Sequence, residues 1–201
     1  MQVAPYHICR VDHRTVAVST GKSVILFSVS HTLTRLRTID TDNTCFGIAS
    51  CQENIILDQF DGTKDSLVTF DTSYQTINTI GLSKLHHRNT HCISPDGQSL
   101  YYTTENKIIT IDMKGQHLNT FECNDLKTAY GITVDKKGII YCCGYESNTV
   151  VQVSPEGRQL AVLLSQNCGL KQPVGVCLND KSNTVLVFEK TSDLVRVFRL
   201  K

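Results

Sequence analysis

The sequence contains no Cys-x-x-Cys pair, no Gly-x-Ser-x-Gly elbow, no Walker loop and no Gly-x-Gly-x-x-Gly turn. These absences remove support for zinc ribbons and thioredoxin-like sites, for an α/β-hydrolase nucleophile, and for nucleotide and dinucleotide cradles. Helix formers are scarce: Ala and Glu number five and six in 201 residues, while Thr, Val and Ile abound, which favours strand. No apolar run approaches the roughly 18 residues of a membrane span, so no membrane contact is expected. Residues 1–7 lack the charged and apolar regions of a signal peptide. Charge of one sign is missing as well. Lys and Arg number 20 against 19 Asp and Glu, a balance of +1 that exerts no strong pull on nucleic acid or lipid. None of the 11 Asn lies in a glycosylation sequon. Nine cysteines, an odd number without metal spacing, are expected to be reduced, most of them buried as small hydrophobes, in a cytoplasmic protein. Cys142 and Cys143 are adjacent in a predicted strand and should point to opposite faces.

What is present is a repeat. Residues 129–164 divide into four short β-prone runs, 131–134, 139–143, 149–154 and 158–164, separated by turn signals. Ser154-Pro155-Glu156-Gly157 has the Pro and Gly placement of a type I turn. Asn106 to Leu118 aligns with Asn148 to Leu160 without a gap, an offset of 42 positions. Leu67 to Asp71 and Val24 to Ser28 fit the same third strand, and Gly47-Ile48, Ile93 and Gly175-Val176 fit the first. From Ile8 through Gly47, Cys92, Gly131 and Gly175 the spacings are 39, 45, 39 and 44. Four strands per period of about 40–45 residues indicate blades of a β-propeller.

The predicted fold is all-β: a single domain over 1–201 with blades at 6–39, 45–80, 92–121, 130–164 and 174–200, the last without its outer strand. Middle strands such as Ile139 to Cys143 are apolar at consecutive positions, so both faces must be covered, as radial blade packing provides. The unfinished fifth blade leaves an expected strand edge near residues 194–200 that invites self-association. Residues 1–5 are a poor substitute strand because they are few and Pro5 limits pairing.

The run Gly131-Ile-Thr-Val-Asp-x-x-Gly-Ile-Ile-Tyr141, followed by Asn148-Thr-Val-Val-Gln-Val153, resembles the NHL repeat, and Pro173-Val-Gly175-Val fits the same consensus. Arg37-Thr-Ile-Asp-Thr-Asp-Asn-Thr-Cys-Phe-Gly-Ile48 is similar to the C-terminal propellers of invertebrate tripartite-motif proteins. The resemblance covers essentially the whole chain and implies an NHL-type propeller, usually of six blades. The five units here therefore imply part of a longer protein or a shortened form. It also implies a relation to the substrate-recruiting domains of ubiquitin ligases. No RING or B-box spacing is present, so ligase chemistry is not expected from this chain.

Candidate chemistry follows from these placements. The starts of inner strands, Thr44-Cys45, His91-Cys92, Ala129-Tyr130 and Pro173-Val174, offer no carboxylate for the calcium of lactonase-like propellers. That hydrolase function is the third reading. His86, His87, His91 and Cys92 could donate to a metal but lack recognised spacing, so neither metal nor cofactor is expected. The expected role is a non-catalytic scaffold that binds a protein partner through loops at one end of the blades. Those loops are 59–65, 144–147 and 190–193, with connectors 84–89, 123–129 and 166–172. Candidate binding residues are Phe60, Lys84, His87, Arg88, Lys127, Tyr130, Tyr145 and Lys190, because aromatic and cationic side chains anchor interfaces. The alternative partner is single-stranded RNA, which the same residues could contact by stacking and charge.

Overall fold

A computed structural model describes residues 5–82, 90–179, 181–192 and 195–200. The fold is an all-β propeller built from antiparallel blades. Its residues fall into two compact units, Met1–Thr90 and His91–Lys201.

The first unit starts with the meander β1 (His7–Arg10), β2 (Thr15–Ser19), β3 (Gly21–Val29) and β4 (Leu33–Cys45). A second meander follows, β5 (Ile48–Cys51), β6 (Asn54–Phe60), β7 (Asp65–Phe70) and β8 (Thr76–Leu82). Sequence patterning ends the first blade at residue 39, but β4 runs on to Cys45. It pairs Cys45 with Gly21 and Thr44 with Phe60, so the two meanders share one continuous sheet. The bend is possible because Gly21 adopts a φ of 87°, next to a register shift that lets β3 follow the longer strand. Ala17, Val24, Leu26, Ile48, Ile55 and Leu57 form the core between the meanders. His7 Nδ1 lies 3.0 Å from the Ile48 carbonyl, and the Ser19 hydroxyl donates to the Phe46 carbonyl. The anticipated long loop over 59–65 is a correction. Gln59 and Phe60 belong to β6 and Asp65 to β7, leaving residues 61–64 as a tight turn. Asp61 Oδ1 closes it by accepting from the Thr63 and Lys64 amides, both at 2.7 Å.

The second unit holds three sheets. One contains β9 (His91–Ile93), β10 (Ser99–Thr104), β11 (Lys107–Asp112) and β12 (His117–Glu122). The next contains β13 (Ala129–Val134), β14 (Ile140–Gly144), β15 (Thr149–Val153) and β16 (Gln159–Leu164). The last, β17 (Pro173–Asn179), β18 (Thr184–Glu189) and β19 (Val195–Arg199), has three strands, as the sequence implied. Its outer strand exposes Val195 and Val197. All five residues of β14 are buried, because the neighbouring sheets cover both of its faces. Cys142 packs with Ile108, Phe121 and Ile132 toward one neighbour, and Cys143 with Leu164, Val176 and Val187 toward the other. The adjacent thiols therefore point to opposite faces. All nine cysteines are free thiols. Only Cys45, Cys142 and Cys143 are fully buried, however, while Cys168 and Cys177 are exposed, which corrects the expectation that most would be hidden. Cys168 sits in the connector after β16 and Cys177 on β17.

The inner strands β13 and β17 meet at glycine. A Cβ on Gly131 would lie 2.6 Å from the Gly175 Cα and 2.7 Å from the Val174 carbonyl oxygen. Both contacts are backbone and cannot swing aside, so any side chain forces the strands apart. Gly131→Ala should lower stability by about 1–3 kcal/mol, the usual cost of overpacking. Gly81→Ala, where nothing lies within 4 Å of the new methyl, serves as the control. Urea denaturation checks both, and a Gly131→Ala midpoint equal to wild type would rule out this approach of the two strands.

Candidate functional site

In the second unit the connectors between blades lie against the turns between second and third strands, and backbone hydrogen bonds fix them there. In the connector 123–128, the Thr128 amide donates to Asn106 Oδ1 at 2.8 Å. The carbonyls of Thr128 and Lys127 accept from the Tyr145 and Glu146 amides at 3.0 and 3.1 Å. One blade later the arrangement recurs: the Gln172 amide donates to Asn148 Oδ1 at 2.8 Å, and the Gln172 carbonyl accepts from the Lys190 amide at 3.1 Å. Thr128 and Gln172 both have positive φ, 52° and 43°, a conformation that non-glycine residues seldom adopt and that these bonds hold in place. Buried Glu189 completes the second copy, its Oε1 accepting from the Lys171 amide and from Arg196 Nε, each at 2.8 Å.

This scaffold brings together three of the side chains singled out in the sequence. Tyr130, on β13, and Tyr145, on the turn after β14, have ring centroids 5.3 Å apart at a tilt of 45°. Lys190, just past β18, holds its Nζ 5.1 Å from the Tyr145 ring centroid and donates to the Tyr145 hydroxyl at 3.4 Å. Both rings are half-buried and Lys190 is exposed. Such a cation–ring pair at the surface contributes about 0.5–1 kcal/mol, enough to bias the lysine's position without immobilising it. The result is a firm aromatic shelf topped by an ammonium. It can receive an apolar side chain against the rings and a carboxylate or carbonyl at the lysine. Lys127 is exposed on the adjoining connector, whose amide donates to Ser147 Oγ at 3.1 Å. Phe60 belongs to the first unit, where it is half-buried at the end of β6 opposite Thr44 and Asp65. Lys84, His87 and Arg88 lie outside the described residues, as does His86 of the His/Cys group weighed as metal donors and set aside.

A buried carboxyl escaped the sequence reading. Asp58, on β6, is 7 % exposed, and its Oδ1 accepts from the Phe46 amide at 2.8 Å. Burial pushes its pKa up to about 7, and the nearby carboxylate of Asp65 adds to the rise against the backbone donors that oppose it. Its signal is a lone Asp in the apolar run Ile55-Ile56-Leu57, a place where a carboxylate must be solvated by the backbone. The inner-strand starts supply thiols and a buried histidine instead of carboxylates, and the Cys45 thiol is itself pushed up by burial. Among the described residues no group of three or more His, Cys, Asp or Glu side chains is placed to hold a metal ion. The thiols and histidine at these inner-strand starts are softer donors than the oxygen ligands a hard cation takes.

Residues 55–188 match the family described as SMP-30/Gluconolactonase/LRE-like region, a β-propeller family. No curated protein matches the sequence. Among solved structures, the crystal structure of a functionally unknown protein from Desulfotomaculum acetoxidans DSM 771 is similar over the whole chain and 67 % of its own length, with a TM-score of 0.73 and 12 % identity. At that identity the likeness bears on fold alone.

The Asp58 environment sets a pH dependence whose sign is fixed. The folded state holds a proton up to about pH 7 that the unfolded chain releases near its ordinary 3.8, so stability falls as pH rises through this window. Asp58→Asn keeps an oxygen for the Phe46 amide and removes the titration. The variant's advantage over wild type should grow by roughly 2–3 kcal/mol between pH 5 and pH 8. Urea denaturation at pH 5, 6.5 and 8 reads the gap, and a gap independent of pH would contradict the assignment.

Proposed function

Because the chain belongs to the SMP-30/gluconolactonase/LRE-like family of β-propellers, we propose its function from the connector-bearing end of its second unit: a non-catalytic recognition module that binds a protein partner on the Tyr130–Tyr145–Lys190 shelf. The meeting of two half-buried rings and an ammonium, contributed by three separate segments, carries this reading. Tyrosine is an efficient anchor, since it buries much surface for few rotatable bonds, and the lysine adds a charge for a partner's carboxylate. Lys127 extends the same rim. The repeat's resemblance to NHL propellers supports a substrate-recruiting role in the cytoplasm, with any ligase chemistry supplied by other domains.

RNA is the weaker reading for a geometric reason. Base stacking needs an open ring face, whereas Tyr145 is already approached by Lys190 and by Tyr130. Exposed Glu146 and Asp125 also offset Lys127 and Lys190 on these loops. Lactone hydrolysis is favoured by the family's name and by the titration of Asp58 near neutrality. Against it, Asp58 is 7 % exposed and already accepts a backbone hydrogen bond, which makes it a support for β5 rather than a base open to substrate.

An affinity capture with the combined Tyr130→Ala, Tyr145→Ala and Lys190→Ala variant tests the proposal. Loss of the partner by tenfold or more is expected, with little change on ribonuclease treatment and a shallow salt dependence. Full retention by the variant would discard the shelf, and ribonuclease sensitivity would transfer the site to RNA. In parallel, gluconolactone with calcium should hydrolyse no faster with the protein than without it. Turnover abolished by Asp58→Asn would make the chain a hydrolase.

A further inference from the structure

The β13–β14 turn lies at the opposite end of its sheet from the aromatic shelf. There a cleft of about 800 Å³ opens between β16 and the ends of β17 and β19. Its apolar walls are Leu163, Leu178, Phe198 and Leu200. Each is half-buried, packed on one side against the core shared by the last two blades. The wall formed by the chain end is pinned: the Leu200 amide donates to the Asn183 carbonyl and Asn183 Nδ2 to the Leu200 carbonyl, both at 2.8 Å. Four apolar side chains converging on one cleft leave a surface that an apolar ligand would cover, and the volume is within the usual range for small-molecule sites.

Charge selects among apolar ligands. The cleft is lined by Lys136, Lys137 and Arg199 against one carboxylate, Asp135. That carboxylate is committed to its own turn: Oδ1 accepts from the Lys137 and Ile139 amides at 2.8 and 2.9 Å, and Oδ2 from the Tyr141 hydroxyl at 3.3 Å. Lys137 and Arg199 form no ion pair among the described residues. Cations gathered beside apolar walls gain most from an anion that the walls help desolvate. We propose that this cleft binds a small amphiphilic anion, with an alkyl chain against Leu163, Leu178, Phe198 and Leu200 and an acidic head at Lys137 and Arg199. The site is separate from the shelf, and neither assignment depends on the other.

Calorimetric titration of the full chain with decanoate, kept below its self-association concentration, tests this. Saturable one-site binding is expected, and octanoate should bind about tenfold more weakly for its two lost methylenes. Combined Lys137→Gln and Arg199→Gln, both at exposed positions, should weaken decanoate about tenfold and leave decanol unchanged. Decyl phosphate run beside decanoate distinguishes a phosphate from a carboxylate head, and tighter binding of either supports the site with that head. Leu178→Trp, checked for folding by thermal denaturation, should block the cleft; if it unfolds the chain, the cationic pair decides. Absence of saturable binding by both anions would overturn the proposal. So would decanol or inorganic phosphate binding as tightly as decanoate, or an undiminished affinity in the double variant.

Discussion

The contact of Gly131 with the backbone of Gly175 is the constraint on which the second unit depends. With no side chain at either position, β13 and β17 approach at backbone distance. Their sheets then splay outward and enclose an apolar wedge of Tyr141, Cys143, Val150, Leu164 and Val187. That wedge is why β14 is buried on both faces, and why apolar residues stand at consecutive positions along it instead of alternating. Tyr130 directly precedes Gly131. The same close approach therefore delivers its ring to the connector-bearing end, beside Tyr145 and within reach of the loop carrying Lys190.

Much of this was legible in the sequence because repetition makes weak local signals add. The turn at Asp135 recurs in form at Asp112 and Asp71, each accepting amides two and four residues on, and these turns divide the strands where the pattern places them. The adjacent thiols Cys142 and Cys143 were assigned to opposite faces by strand alternation alone. Where reading failed, the cause was tertiary. Polar residues 40–44 look like a linker, yet they extend β4, with Asp40 paired to Ser23 on β3 and Thr44 to Phe60 on β6. Charges around residues 61–64 suggest a long loop, but Asp61 folds them into a tight turn. Asn106 and Asn148 align perfectly in the repeat. Their task of capping the Thr128 and Gln172 amides depends on connectors that arrive from more than 20 positions away, which no local pattern encodes.

The family's name and the geometry of the connector-bearing end favour different readings, and they meet at Asp58. A family named for gluconolactonase invites a search for a catalytic carboxylate, and one with a pKa of about 7 is present. Its rise comes chiefly from desolvation, and its oxygen accepts from the Phe46 amide just ahead of an inner strand. The shelf has the opposite character. Its groups stand at the surface, on loops immobilised by backbone hydrogen bonds, which is the arrangement recognition requires.

Site-specific photocrosslinking in cells tests this account most directly. Tyr145→p-benzoylphenylalanine places a reactive ketone in the shelf, and Leu118→p-benzoylphenylalanine places one on the exposed outer strand β12 as a control. The account predicts a discrete protein adduct from position 145, absent from position 118 and unaffected by ribonuclease. A nucleic-acid adduct at position 145, or the same protein adduct from both positions, would contradict it.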